Sequence, residues 1–276
     1  MKLSFMGLDG AEKAVAARAA GEAIEFVSSF SRMKPKTSRL RMRFVADDMW
    51  GSRRGGKNLD GDKNKFGEAR LNLALVRVGK SRWPGELETI AVHEFAHIND
   101  TGSDAIFCKA RRQYKREEKH LNAVKERLGF FSRKFGKGKE AVRKAEERLE
   151  KRAENYCIAK AITEGWATLV ETGYWKRIGM EEEYRKYVDT SATYALEADG
   201  GGIQYFDKYL HGFNFYYQLE KMVGRAAAYL LPRFFPPKSL EELNHPDYYI
   251  FALKNEIGEQ EFLRIVNRAA KVKFEA

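Results

Sequence analysis

His93-Glu94-Phe95-Ala96-His97 places two imidazoles four residues apart, with a carboxylate beside the first. On a helix that spacing returns nearly to the same face, so both rings can reach one metal ion while Glu94 reaches a water molecule held there. The chemistry such a set supports is metal-assisted hydrolysis, with the carboxylate as proton carrier. The chain contains five histidines in all, so two of them meeting a glutamate at this spacing carries weight.

The surrounding residues are those of a buried helix. Leu87-Glu88-Thr89-Ile90-Ala91-Val92 leads into the motif, and Phe95, Ala96 and Ile98 continue an apolar run. Trp83-Pro84-Gly85 punctuates the start, and Glu86 and Glu88 fall in a first turn whose free N–H groups favour anions.

A catalytic zinc ion takes three protein ligands and keeps one position open, so two histidines are an incomplete set. Three and six residues after His97 stand Asp100 and Ser103, where a metzincin would have Gly and a third ligand. Asp100 and Asp104 are fallback ligands, although beside Gly102 they read as the polar turn that ends the helix. Glu164 is the better candidate. It interrupts the mostly apolar run Ala161-Ile162-Thr163-Glu164-Gly165-Trp166-Ala167-Thr168-Leu169-Val170-Glu171, and a carboxylate buried there needs a partner.

With His93 to His97 and Glu164-Gly165-Trp166-Ala167 together, the chain resembles the gluzincin metallopeptidases, which include thermolysin-like enzymes and zinc aminopeptidases. The resemblance implies Zn2+ held by His93, His97 and Glu164, and a second helix that supplies the glutamate. Glu171 matches an acidic position of some members. Thermolysin-like enzymes place an aspartate four residues after the ligand glutamate to orient a histidine, and this chain has Thr168 there. Glu171 or a backbone carbonyl would then accept the ring N–H instead. The Gly-x-Met-Glu-Asn stretch that captures a free amine in the aminopeptidases has no counterpart, which directs the expectation to internal peptide bonds.

On this reading Glu94 takes a proton from the attacking water and returns it to the leaving amine. The resemblance also implies a downstream tyrosine or histidine that stabilises the tetrahedral intermediate. Within Tyr209-Leu210-His211-Gly212-Phe213-Asn214-Phe215-Tyr216-Tyr217 the choice falls on Tyr209, in a segment otherwise dense enough in aromatics to be core.

The 276 residues, 43% hydrophobic and 13% aromatic, suffice for one large core with a projecting element. No run of about 18 apolar residues is present and the first residues open no signal-type segment, so the expected compartment is cytoplasmic with no transmembrane segment. An alanine-rich helix is expected from about Glu12 to Phe30. Leu40, Met42 and Phe44 alternate with arginines, and Leu71, Leu73 and Leu75 alternate likewise, giving two strands of one small sheet. By resemblance, residues 70 to 78 are the edge strand above the cleft, where an extended substrate could add. Asp60-Gly61-Asp62-Lys63-Asn64-Lys65 begins like a calcium loop but lacks the required Gly and final Glu, so it reads as a connection, as does Gly51 to Gly56.

Between His97 and Glu164, Phe107, Ala110, Tyr114, Leu121, Val124, Leu128 and Phe131 fall on a three-four spacing. After Phe135-Gly136-Lys137-Gly138, Val142, Ala145, Leu149 and Tyr156 repeat it, which predicts an inserted antiparallel hairpin of coiled-coil type. Residues 109 to 152 carry 17 Lys and Arg against 7 Glu, a balance of +10 in a chain of net charge +11. Such an arm suits nucleic acid, an acidic partner, an anionic membrane surface or plain solvation. Cys108 enters the hairpin and Cys157 leaves it, and two reduced thiols are expected.

The expected architecture is therefore α+β and mainly α, with a small mixed sheet. Residues 1–105 form an N-terminal part with the histidine helix, 106–157 the basic hairpin, and 158–276 a helical part with the third ligand, hinged at Gly200 to Gly202. The expected activity is a zinc-dependent peptidase acting on proteins or oligopeptides. The alternative is a nucleic-acid- or partner-binding protein that works through the arm, with a structural or silent zinc site.

Overall fold

Alternating burial along two short segments builds the sheet floor. β1 (Lys2–Met6), β2 (Arg41–Ala46) and β4 (Leu73–Val78) run parallel, and β3 (Gly67–Arg70) pairs antiparallel with β4, in the order β1-β2-β4-β3. Met42 and Phe44 of β2 and Ala74 and Val76 of β4 are fully buried, as the alternation predicts. The computed structural model describes residues 1–31, 40–47, 67–70, 73–79, 83–128, 136–197 and 207–271. The calcium-like stretch from Asp60 to Lys65, the connection from Gly51 to Gly56 and the glycines from Gly200 to Gly202 lie outside the described residues, as does the side chain of Asp104.

One expectation is corrected. Residues 70 to 78 are not the edge strand, because β4 is hydrogen-bonded on both sides and the edge belongs to β3. A four-residue strand that contains Gly67 and ends in Arg70 has too little alternation to announce itself in sequence.

α1 (Gly10–Ser31) starts with a reciprocal cap: the Glu12 N–H donates to Asp9 Oδ1 at 2.8 Å and the Asp9 N–H to Glu12 Oε2 at 2.9 Å. Its buried face is built on Ala16, Ala19, Ala20 and Ala23, whose small side chains let α2 (Glu86–Asn99) pack closely against it. Gly85 caps the start of α2 with φ of +83°, a left-handed conformation that a Cβ would strain. The Glu88 carboxylate reaches the Arg18 guanidinium across the two helices at 3.0 Å. α2 therefore lies between the sheet, α1 and the long helix that follows.

α3 (Thr101–Arg127) and α4 (Gly136–Arg177) form the expected hairpin. Tyr114 stacks on Tyr156 with centroids 5.5 Å apart, Arg152 donates to Gln113, and the Lys125 ammonium meets Glu146 at 2.8 Å. From the Tyr114–Tyr156 contact to the Lys125–Glu146 contact, numbers rise on α3 and fall on α4, which is antiparallel packing. α4 spans 42 residues, about 63 Å of continuous helix, so the outer arm and the segment carrying Glu164 are one rod. The segment limits at 105 and 157 accordingly fall inside helices. Cys108 and Cys157 are unbridged thiols.

The C-terminal part is helical as expected: α5 (Glu181–Glu197), α6 (Lys208–Val223), α7 (Arg225–Phe234), α8 (Leu240–Asn244), α9 (Pro246–Ile257) and α10 (Glu259–Lys271). α6 crosses α4 at Gly212 and Gly165, and the fully buried Trp166, Tyr216 and Phe213 fill the core around that crossing. The fold is α+β and mainly α. Among the described residues no helix is long and apolar enough to cross a membrane.

Candidate metal centre

His93 and His97 stand one turn apart on α2, and their Nε2 atoms approach to 3.1 Å. Glu164 of α4 brings Oε2 to 3.2 Å from His97 Nε2 and 3.6 Å from His93 Nε2. The three donor atoms form a nearly equilateral triangle. A tetrahedral ion bonded at about 2.0–2.1 Å sets its ligand atoms about 3.3–3.4 Å apart, so the triangle has the dimensions of such a ligand set. Two imidazole nitrogens and one carboxylate oxygen are also a donor set that suits zinc. Among the described residues, these are the three brought together as a potential metal-holding group.

The orientation of His93 is fixed from behind. Its Nδ1 lies 2.8 Å from Glu171 Oε2, so the ring N–H donates there and Nε2 is turned towards the centre. Of the two acceptors open at the sequence level, Glu171 is therefore the one used. Thr168 instead donates its hydroxyl to the Glu164 carbonyl within α4. Lys160, Glu164, Thr168 and Glu171 fall on a single stripe of α4, the one that faces α2 and α6.

Charges interlock among these side chains. Burial alone would depress the His93 pKa, but hydrogen bonds to Glu164 and Glu171 outweigh it and hold the imidazole well above its usual value. Burial would raise the Glu164 carboxyl, and its hydrogen bonds to His93 and His97 reverse that, leaving it well below the usual carboxylate range. Glu94 is pushed up to about 7, by burial first, against the opposing charges of His93 and His97. Its Oε2 is buried without a hydrogen-bond partner.

Tyr209 sits in the first turn of α6, where Asp207 caps the helix by accepting from the Tyr209 and Leu210 N–H groups at 2.9 and 3.3 Å. Its ring centroid is 6.3 Å from that of His93. Burial, then the charges of Glu164 and Glu94, raise its hydroxyl pKa, so it stays a donor. A cleft of about 650 Å³ opens beside the centre, with His93, Glu171, Trp175, Tyr187, Asp207 and Tyr209 among its walls. All five expected site residues are thus gathered in one place.

Asp100 does not join them. It ends α2 and, almost fully buried, grips the Arg233 guanidinium through both oxygens, with Nε at 2.7 Å from Oδ1. Arg233 also lies over the Tyr229 ring, 3.4 Å from its centroid. Sequence reasoning missed this pair, and it also missed Lys208, whose Nζ is 3.8 Å from Glu164 Oε1, and the adjacent Lys160. Lys160 carried a legible signal, since it precedes Glu164 by one helical turn. Burial, then the neighbouring Lys208, pulls the Lys160 pKa down to about 8. No protein-family model, curated protein or solved structure matches the chain.

Proposed function

We propose that the protein is a zinc-dependent metallopeptidase of gluzincin type that hydrolyses peptide bonds within proteins or oligopeptides. The observation that carries this reading is the donor triangle of His93, His97 and Glu164, with the partnerless Glu94 carboxylate oxygen beside it. A purely structural site has no use for a buried proton carrier. Zinc bound there would supply Lewis acidity and a water molecule acidic enough to attack near neutral pH. Glu94 would be the group that accepts a proton there and returns it to the leaving amine, a task suited by a pKa near 7. Glu171 keeps the His93 ring in the required tautomer, and the Tyr209 hydroxyl donates to the oxyanion that develops on the substrate carbonyl.

The test is chelator-sensitive cleavage of casein or fluorogenic peptides, set beside zinc content. One zinc per chain is expected, lost in His93→Ala and Glu164→Ala. Glu94→Gln should keep the zinc and lose cleavage by at least about 100-fold. Full activity in a zinc-loaded Glu94→Gln protein would overturn the role of Glu94, and the absence of any metal-dependent cleavage would overturn the reading.

A second reading is supported by the arm, where Lys109, Arg111, Arg112, Lys115, Arg116 and Lys119 are all exposed. In that reading the arm binds nucleic acid or an acidic partner and the metal site is silent. Salt-sensitive binding to DNA or RNA that vanishes on deleting residues 109–152 would favour it.

A further inference from the structure

Two ammonium groups stand beside the ligand carboxylate, on the side away from the histidines. Glu164 turns Oε2 towards His93 and His97, and its Oε1 faces Lys208 Nζ at 3.8 Å. Lys160 stands one turn before Glu164 on α4, close enough to Lys208 for the two like charges to repel. Neither side chain is fully solvated: Lys208 exposes 24% and lies over the Tyr209 ring, 4.5 Å from its centroid, and Lys160 is half-buried, 5.9 Å from that of Tyr156. Like charges held together in a partly desolvated place repel, and Glu164 is the anion that faces them. A divalent cation on Glu164 would take up that negative charge and leave the pair beside further positive charge. The loaded centre then calls for an anion at this spot.

We propose that Lys160 and Lys208 form a carboxylate-binding subsite for the peptide substrate, next to the centre. The proposal rests on the peptidase reading for its substrate class. By covalent geometry Lys208 Nζ lies at most about 6 Å from Glu164 Oε2, while a peptide residue spans about 3.3–3.6 Å. The carboxylate recognised therefore belongs one or two residues from the bond that is cleaved. Its source is either the free C-terminus of a short peptide or an Asp or Glu side chain, and both present the same acceptor to two ammonium donors.

The experiment uses the zinc-loaded Glu94→Gln protein, which binds without turnover, and calorimetry on three peptides of shared sequence. One ends in a free carboxylate, one in an amide, and one is amidated but carries Glu near its end. At least about tenfold tighter binding of a carboxylate-bearing peptide over the plain amide is expected, the size of a charge-assisted hydrogen bond. Preference for the free terminus identifies the chain end as the source, and preference for the Glu peptide identifies the side chain. Adding Lys160→Met and Lys208→Met together should erase the preference with zinc content and circular dichroism unchanged, and Lys208→Arg should retain most of it. A preference that survives the double substitution overturns the proposal, as does loss of zinc in that variant, which would assign the lysines to support of the centre. Equal binding of all three peptides counts against the subsite alone, whereas no binding of any counts against peptide hydrolysis itself.

Discussion

Gly165 of α4 and Gly212 of α6 meet backbone to backbone: a methyl group on Gly212 would lie 2.7 Å from the Gly165 Cα, and one on Gly165 would overlap the Gly212 carbonyl. This approach fixes where α6 begins relative to His93, His97 and Glu164. Glu164 precedes the crossing by one residue on α4, and Lys208 and Tyr209 lie one turn before it on α6, so all three converge.

Gly212→Ala should therefore do more than overpack a core. The helices must separate, which costs about 1–3 kcal/mol of stability and draws Tyr209 and Lys208 away from Glu164. Urea unfolding and zinc-dependent cleavage should both fall, while Gly179→Ala, an exposed left-handed position far from the crossing, should lower stability by about 1 kcal/mol and leave the site's function intact. Unchanged stability and activity in Gly212→Ala would contradict the close crossing.

The two site helices were legible in sequence for different reasons. His93 and His97 share a face by local periodicity alone, and Glu164 betrayed itself as a carboxylate inside an apolar run. Lys208 could not be read the same way, because its meaning depends on a helix crossing that brings together residues more than 40 positions apart. The same holds for Gly212, which looks like a helix weakener until its partner is known. The hairpin was visible in its three-four spacing, but its continuity with the helix of Glu164 was not, since the arm's narrow apolar stripe gives way from Ile158 onwards to burial on most faces of α4.

Asp100 and Arg233 form a buried ion pair that ties the end of α2 to α7. Arg233→Met leaves a buried aspartate without its counter-charge, and a loss of about 3–5 kcal/mol is expected. The Asp100→Asn, Arg233→Met double variant should recover part of that loss, because no uncompensated charge remains. Chemical denaturation of the four proteins in the cycle checks this, and strictly additive losses would show that the pair is not coupled.

Glu171 is assigned to orient His93, so Glu171→Gln should weaken zinc binding without abolishing it. The amide still offers an oxygen to the ring N–H but withdraws the charge that makes the imidazole a better donor. A fall of about 10- to 100-fold in affinity is expected by chelator competition. Affinity equal to the parent protein would remove Glu171 from the centre.

The metal-free and zinc-loaded proteins should respond to pH in opposite senses. The folded-state pKa of His93 is raised well above 6.5, so its contribution to the metal-free protein is complete below about pH 6.5 and is lost as pH climbs through the raised value. Glu164 is depressed well below 4.5, so its contribution is present above about pH 4.5 and is lost as pH falls through the depressed value. With chelator present, these two contributions coexist between roughly pH 4.5 and 6.5, and they make the urea midpoint decline on the alkaline side. Zinc requires the neutral imidazole, so protons compete with it less as pH rises. The gap between zinc-loaded and metal-free midpoints should therefore widen from pH 6 to 8, and parallel curves over that range would show that His93 does not exchange its proton for the ion.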